Sequence, residues 1–325
     1  MLTGKESLQS IGLDLIEQAR ARIKGSVLRS PLVRLNVDNA PGEIYLKLEN
    51  LQPTGSFKVR GASNAIALAG SQAKSRGVYT CSAGNMAQAL AWQARQNGIA
   101  CTVIVPDNAP ETKLQAIKRF GASIVQVSFD EVWKVVTTYR YAPLENSMFI
   151  HPFSDARMIA GNGTIGLEIL EELPDVDSIV IPFGGGGLAA GIATAIHAKK
   201  LRTDIYAVEP ETAAPLAASF KAGTAQEVNR IPSFVDGIGG KSVLPEMWKL
   251  VKPLIKGSIV VSLKEIASAV RLLVERNRIV AEGAGAASVA AALSGKAGKG
   301  KIACIVSGGN IDSSKLVKIL SGEVP

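Results

Sequence analysis

The residue best suited to chemistry in this sequence is Lys58, which lies in the segment 56–61 (SFKVRG) among apolar residues and glycines. A turn-rich stretch, 49–55 (ENLQPTG), precedes it and predicts that the lysine stands at the mouth of a cleft. Burial disfavours a charged ammonium group, and a neutral amine can attack a carbonyl and hold it as a Schiff base. The alternative is a solvated helix lysine, the usual case in a chain with 36 lysines and arginines. The residues that accompany Lys58 must decide between the two.

A second stretch offers backbone N–H groups. Four glycines join the strand-like run 179–183 (IVIPF) to an alanine-rich helix, namely Gly184, Gly185, Gly186 and Gly187. Such a loop before a helix N-terminus forms a cup for phosphate. Two alternatives stay open. One is a merely flexible turn. The other is a dinucleotide site, because 185–190 fits a loose G-x-G-x-x-A pattern and Glu209 follows the next strand, where a ribose-binding acid would stand.

Two further turns follow strand-like runs. The first offers a hydroxyl, helix-start N–H groups and an amide, and it consists of Ser82, Ala83, Gly84 and Asn85. This combination suits a substrate carboxylate, although a plain helix cap would look the same. The second turn, 307–310 (SGGN), places the Ser307 hydroxyl at the end of the last core strand. Together, an amine, a phosphate cup, a carboxylate cradle and a strand-end hydroxyl fit pyridoxal 5′-phosphate.

These four motifs, in this order, resemble those of the serine/threonine dehydratases and serine racemases of the fold-type II pyridoxal-phosphate enzymes, and the match spans nearly the whole chain. The resemblance implies an α/β fold of two doubly wound parallel-sheet domains with the cofactor in the cleft between them. It implies that Lys58 holds the cofactor covalently and that Phe57 packs near its ring. It also implies that Asn85 bonds the phenolic oxygen, that Ser307 bonds the pyridine nitrogen and that the loop 184–187 holds the phosphate.

The resemblance further implies a reaction. A β-hydroxy L-amino acid of the serine/threonine type would lose water by α,β-elimination and give a 2-oxo acid and ammonia. Ala83 stands where the racemases carry a serine, so we predict little racemisation. Met86 and Phe153 stand where the family carries His and Asn, and we expect both near the substrate's β-substituent. A pocket for a bulkier substrate such as phenylserine is one interpretation, and two ordinary core residues are the other.

Glu209 also resembles part of the cation site of related enzymes. Pro215, however, occupies the position of a further acid in the racemases, so one ligand is missing. A monovalent or divalent cation at Glu209 and a simple strand-end carboxylate therefore both stay open.

The elements that position these motifs follow from the hydrophobic pattern. From residue 77 the chain alternates as strand 78–81, helix 86–97, strand 100–105, helix 109–120 and strand 123–127. Such alternation predicts right-handed βαβ units and a parallel sheet. We predict a small substrate-closing domain at 77–152, inserted in a large cofactor-binding domain formed by 1–76 and 153–325. An amphipathic helix is expected over 7–24.

Composition bounds the class of protein. With 325 residues, 47% of them hydrophobic and 20% charged, the chain can bury one large core or two joined ones. The net charge of +8 is scattered, so we predict a small amino-acid substrate and no nucleic-acid partner. Three cysteines in apolar runs, no signal peptide and no membrane-spanning run predict a soluble, cytoplasmic protein with reduced core thiols.

Some alternatives remain at this point. One is a nucleotide-binding oxidoreductase that uses the glycine loop, and another is a pyridoxal-phosphate enzyme of the β-replacement or racemase type. A non-catalytic ligand-binding protein is the third. The resemblance allows a homodimer. We expect no appended regulatory domain, because no stretch of domain length follows Ser307. Of the two histidines, His151 is expected to shape the domain boundary.

Overall fold

The computed structural model describes residues 8, 11–199 and 202–325 and contains two β-sheets. The larger sheet has six strands: β1 (Leu32–Arg34), β2 (Glu43–Leu48), β7 (Ser178–Pro182), β8 (Asp204–Pro210), β9 (Gly257–Val261) and β10 (Lys301–Val306). The smaller has four: β3 (Val78–Cys81), β4 (Cys101–Pro106), β5 (Ser123–Val127) and β6 (Met148–Phe149). The strand orders are β1-β2-β10-β7-β8-β9 and β5-β4-β3-β6. Every pairing between these strands is parallel except that of β1 with β2.

Helices connect these strands. They are α1 (Leu13–Ile23), α2 (Lys58–Arg76), α3 (Asn85–Gln96), α4 (Glu111–Arg119), α5 (Phe129–Thr138), α6 (Ala156–Glu172), α7 (Gly187–Ala198), α8 (Pro215–Ala222), α9 (Pro245–Val251), α10 (Leu263–Leu272), α11 (Gly283–Leu293) and α12 (Ser313–Leu320). The predicted alternation of strand and helix from residue 77 is confirmed. The helix expected over 7–24 begins at Leu13, and residues 7, 9 and 10 lie outside the described part of the chain.

The six-stranded sheet is covered on both faces. In β7, Ile179 and Ile181 pack in a core with helices α6 and α7, whereas Val180 between them packs in a second core with α10 and α11. Alternate residues of a strand point to opposite faces, so both faces of β7 are buried. In the same way, Ala303 and Ile305 of β10 pack in the first core and Cys304 between them packs in the second. This burial explains the continuous apolar runs in the sequence.

Helix α2 links the two sheets. Lys58 stands at its start, while residues from its middle and end pack in the core of the four-stranded sheet, namely Ala65, Ile66, Ala69 and Ala73. Gly70 interrupts the helical conformation with φ +52°. Part of the smaller core is thus built from residues before position 77. The predicted domain bounds of 1–76 with 153–325, and of 77–152, stay predictions.

The described helices include none that is long and apolar enough to cross a membrane. Each of the three cysteines is buried and forms no disulfide, in agreement with the expected core thiols.

Candidate active site

Lys58 places its amine at the junction between the two sheets. Its Nζ donates a 2.5 Å hydrogen bond to the carbonyl oxygen of Pro152 and lies 5.2 Å from the centre of the Phe57 ring. Burial lowers the pKa of Lys58 to about 8, with no described carboxylate acting against it. The neutral, nucleophilic amine is therefore accessible close to neutral pH, which distinguishes Lys58 from a solvated lysine.

The segment that follows Pro152 packs against the glycine loop. A Cβ atom on Gly185 would lie 2.1 Å from Cγ of Phe153, and one on Gly187 would lie 2.5 Å from the Phe153 carbonyl oxygen. Both distances are too short for a side chain, so these glycines allow the close approach. Residues 152–153 thus touch the Lys58 amine on one side and the glycine loop on the other, which brings these two predicted features together.

The glycine loop leads directly into a helix. Gly186 has φ +88°, a left-handed conformation that favours glycine, and α7 begins at Gly187. The Ala190 N–H group donates to Gly186 O at 2.8 Å. The N–H groups of residues 187–189 therefore have no acceptor within the helix. Such N–H groups at a helix N-terminus are what a phosphate site requires.

The predicted carboxylate cradle, residues 82–85, lies between β3 and α3 and is half-buried. Ser82 Oγ accepts a 3.1 Å hydrogen bond from the Gly84 N–H group. A Cβ atom on Gly84 would meet no atom within 4 Å, so the turn borders open space. Because α3 starts at Asn85, the N–H groups of its first turn also lack acceptors within the helix. The turn can therefore accept an anionic group.

Asn85 is bonded to a residue that the sequence did not single out, Glu282. Asn85 Nδ2 donates to Glu282 Oε1 at 2.7 Å, and Asn85 Oδ1 accepts from Asn310 Nδ2 at 2.7 Å. Burial raises the pKa of Glu282 to about 7, although the bond from Asn85 acts to lower it. The only signal in the sequence was an acid directly before the glycine- and alanine-rich helix α11. That signal does not distinguish a helix cap from a site residue.

The end of β10 contacts both the segment that carries Lys58 and the hydrogen-bonded pair Asn85–Glu282. The Phe57 N–H group donates to Ser307 O at 3.0 Å, so the residue before the lysine is fixed to the strand end. A Cβ atom on Gly308 would lie 2.5 Å from Glu282 Oε1 and 3.2 Å from Asn85 Nδ2. Ser307 itself is buried. The structure therefore brings the four sequence motifs together at the carboxyl ends of β3, β7 and β10.

These residues fit pyridoxal 5′-phosphate. The cofactor needs an amine for its aldehyde, N–H groups for its phosphate and a hydrogen-bonding group for its pyridine nitrogen. Lys58 offers an amine without a carboxylate partner, the start of α7 offers N–H groups without helical acceptors, and Ser307 offers a neutral hydroxyl. The Asn85 amide, expected to bond the phenolic oxygen, is engaged with Glu282.

A buried ionic network anchors the start of α2. Arg60 is fully buried, and its guanidinium donates to the Glu49 carboxylate at 2.8 Å and to the Glu168 carboxylate of α6 at 2.7 Å. Burial by itself lowers the pKa of Arg60, but Glu49 and Glu168 outweigh it and raise the pKa above its usual range. Lys47 of β2 also binds Glu168, at 2.8 Å. Opposite charges therefore balance in the interior two residues away from Lys58.

His151 is a buried structural residue. Its Nε2 lies 3.1 Å from the Val136 carbonyl oxygen and must donate, so Nδ1 accepts the 2.8 Å bond from the Ser154 N–H group. The ring stacks on Tyr139 with centroids 4.5 Å apart and meets the edge of Phe153 at 4.6 Å. His151 thus supports the segment that packs on the glycine loop, in keeping with its expected structural role.

The two apolar residues expected near the substrate occupy different places. Met86 is 2% exposed and packs in the core of the four-stranded sheet with Leu90 and Met158. This position favours the interpretation of Met86 as an ordinary core residue, and its contact with the β-substituent stays a prediction. Phe153 is half-buried beside the glycine loop, and its contact with substrate stays a prediction.

Glu209 caps a helix. Its carboxylate accepts 2.8 Å bonds from the Leu216 and Ala217 N–H groups of α8 and a 2.7 Å bond from Ser258 Oγ. Burial raises the pKa of Glu209 to about 7, and these three bonds act to lower it. Among the described residues, no cluster of three or more His, Cys, Asp or Glu could hold a metal. These contacts favour the interpretation of Glu209 as a strand-end carboxylate that caps a helix, and a cation at Glu209 stays a prediction.

The fold and the site together define a class of protein: a two-sheet α/β scaffold with a buried lysine amine and a glycine loop at the carboxyl ends of parallel strands. Residues 23–308 match the family model described as "Pyridoxal-phosphate dependent enzyme", and the chain belongs to that family. Its cofactor is therefore pyridoxal 5′-phosphate. The predictions of family, cofactor and fold-type II architecture are confirmed.

The chain is similar to proteins named as threonine ammonia-lyases, threonine dehydratases and serine racemases. The chain is 40% identical over 316 residues to an L-threonine ammonia-lyase of Thermotoga maritima, covering 96% of this chain and 78% of that one. It is 37% identical over 315 residues to the catabolic L-threonine dehydratase of Escherichia coli K12, covering 95% and 96%. The solved structure of maize serine racemase matches with a TM-score of 0.85 and 34% identity, covering 96% of this chain and 97% of that one.

Proposed function

We propose that this protein is a pyridoxal-phosphate-dependent dehydratase of the ammonia-lyase type, which converts a serine/threonine-type L-amino acid to its 2-oxo acid and ammonia. The observation that carries the proposal is the buried Lys58 amine, with its pKa lowered to about 8, beside a cradle and a loop that can bind two anionic groups. The relatives named threonine ammonia-lyase and threonine dehydratase support the substrate class.

Each group has a task that follows from its position. The bound cofactor supplies an electron-withdrawing ring that stabilises negative charge at the substrate Cα. Lys58 removes the Cα proton, because an amine with a pKa near 8 is partly neutral at the working pH. The turn 82–85 holds the substrate carboxylate with N–H groups at the start of α3 and so orients Cα toward the lysine. The N–H groups of 187–189 hold the phosphate.

Two residues favour elimination over racemisation. Inversion at Cα requires a second acid–base group on the face opposite the lysine, and the methyl side chain of Ala83 cannot move a proton. The Ser307 hydroxyl is neutral, so it does not hold the pyridine nitrogen protonated as a carboxylate would. Charge at Cα is then less stabilised, which favours rapid loss of the β-hydroxyl group.

The side chains near the glycine loop limit the size of the β-substituent that the site accepts. Met86 lies in the core, and the Phe153 ring lies over Gly185, so neither side chain opens space for an aryl group. We therefore infer that serine and threonine are preferred to phenylserine. A value of kcat/KM for phenylserine above that for threonine would refute this size argument and leave the dehydratase proposal intact.

The central test replaces the lysine. Wild-type protein loaded with the cofactor should absorb visible light and release 2-oxobutanoate from L-threonine. Lys58→Ala should lower the rate by about 10²–10⁴-fold, because it removes the group that moves the proton. Lys264→Ala, at an exposed lysine, is the control and should leave the rate unchanged. An undiminished rate in Lys58→Ala would refute the proposal.

We further propose that the protein acts in the cytoplasm as a homodimer on free amino acids. Light scattering on the purified holoenzyme tests the dimer, and a monomeric mass at micromolar concentration would exclude it.

A further inference from the structure

Helix α4 is joined to the opposite side of the cleft by an ion pair and a hydrogen bond. Lys113 Nζ lies 2.7 Å from Asp236 Oδ2, and the neighbouring Thr112 hydroxyl lies 3.4 Å from Asp312 Oδ1. Asp312 is the cap residue of α12, which follows β10 of the six-stranded sheet. These contacts therefore join an element of the small sheet to elements of the large one.

Both ends of the ion pair are anchored in hydrophobic cores. Leu114 and Ile117 of α4 are buried in the core of the four-stranded sheet. Phe234 and Val235, directly before Asp236, are buried in a core of the six-stranded sheet. Close packing makes each core nearly rigid, so a change in the distance between Lys113 and Asp236 reports a movement of one sheet against the other.

Charge balance favours the contact. Lys315 Nζ lies 3.7 Å from Asp236 Oδ2 and 3.6 Å from Asp312 Oδ2. Two carboxylates and one ammonium group leave this side of the cleft with one net negative charge, which Lys113 neutralises from the other side. The Lys113 and Asp236 side chains are 25% and 33% exposed, so water reaches the pair and can replace it at low cost. Such a pair can open and close.

The pair also adjoins the candidate site. A Cβ atom on Gly237, next to Asp236, would lie 3.3 Å from Glu282 Oε1, and Glu282 binds Asn85 of the cradle. The charge of Asp236 acts to raise the pKa of Glu282, and that of Lys113 acts to lower it. Closing the pair therefore holds the small sheet, which carries both α4 and the turn 82–85, against Glu282 and its neighbours on the other side of the cleft.

We propose that Lys113 and Asp236 are positioning residues that latch the two sheets over bound substrate, and that substrate enters and product leaves when the pair opens. Closure of the latch fixes the turn 82–85, which is carried by the small sheet, relative to Lys58. The identity of the substrate rests on the proposed function, whereas the latch itself rests on the contacts described above.

Charge reversal tests the latch in the holoenzyme. Lys113→Asp and Asp236→Lys should each raise KM for L-threonine about 5–10-fold and change kcat less than about twofold, because like charges then oppose closure. The double variant Lys113→Asp/Asp236→Lys should return KM to within about threefold of wild type. The control is Lys118→Asp, whose nearest acid, Glu111, lies 3.6 Å away on the same helix. It should behave as wild type. Unchanged KM in both single variants overturns the latch.

A second measurement does not depend on turnover. Amide hydrogen exchange of residues 111–119 should be several-fold faster in Lys113→Asp and Asp236→Lys than in wild type and in Lys118→Asp, because the helix spends more time away from the large sheet. Faster exchange together with no wild-type activity on any hydroxy amino acid would support the latch and overturn the proposed function. Normal wild-type turnover together with unchanged exchange in both reversals would overturn the latch alone.

Discussion

The approach of Phe153 to the glycine loop predicts a large effect from one added methyl group, Gly185→Ala. The new Cβ would lie between 2.1 and 2.3 Å from three atoms at the root of the Phe153 ring, where real contacts do not occur. These atoms are not the far end of a flexible side chain. The backbone of Phe153 is also confined, because its carbonyl oxygen abuts Gly187 and its ring meets His151. The ring or the loop must therefore move.

Overpacking of this kind costs about 1–3 kcal/mol. If the displacement is relieved by the loop, the N–H groups proposed to hold the phosphate move with it, and the same free energy appears in cofactor binding. The dissociation constant for pyridoxal 5′-phosphate should then rise about 5–150-fold. Titration of the cofactor-free protein, followed by visible absorbance, measures this constant directly.

Two further variants make the result specific. Gly257→Ala, at the start of β9, is the matched control, because a Cβ atom there meets nothing within 4 Å. Gly185→Ala/Phe153→Ala removes the obstructing ring and should recover most of the lost affinity. A dissociation constant for Gly185→Ala within twofold of that for Gly257→Ala would refute the reasoning, as would a double variant no better than Gly185→Ala alone.

Two pH-dependent predictions follow from the buried titratable groups. In the cofactor-free protein the folded-state pKa of Lys58, about 8, lies below its usual 10.5, so its charge costs stability at pH 7. Lys58→Met should therefore raise the free energy of unfolding by about 1–3 kcal/mol at pH 7, and this gain should fade between pH 8 and 10.5. The exposed control Lys264→Met should change the free energy of unfolding by an amount that does not depend on pH. The same pH independence in Lys58→Met would contradict the prediction. For Glu282, whose pKa rises from 4.5 to about 7, the cost of the charge grows between these two values and is complete above pH 7. Glu282→Gln keeps an acceptor for Asn85 and should stabilise the protein by about 1–3 kcal/mol at pH 8 but not at pH 4.5. Urea unfolding at the two pH values measures this difference. Equal effects at both pH values would contradict the raised pKa of Glu282.

The parts of the protein that the sequence predicted are those encoded by local patterns. The strand-turn-helix alternation after residue 77 is confirmed, because each strand and helix is recognisable within its own few residues. The glycine loop and the turn 82–85 are local for the same reason. The ion pairs of Arg60, in contrast, could not be predicted from local patterns. Its carboxylate partners, Glu49 and Glu168, lie on other elements of the chain, and no spacing in the sequence links them. Long-range pairing of side chains requires the three-dimensional fold.

Met86 shows why membership of a motif does not by itself fix the direction of a side chain. An α-helix turns about 100° per residue, so the side chain after Asn85 points well away from the direction of Asn85 itself. Leu90, four residues further on, shares a face with Met86, and both side chains are buried in the same core. Helical periodicity thus places Met86 on the apolar face of α3 and leaves Asn85 at the cleft. At a helix start the backbone N–H groups can bind a ligand whatever the side chains do, but a side chain contacts that ligand only if it points toward the cleft. An apolar residue at a helix start changes the size of substrate that the pocket accepts only when the helical periodicity also turns its side chain toward the open side.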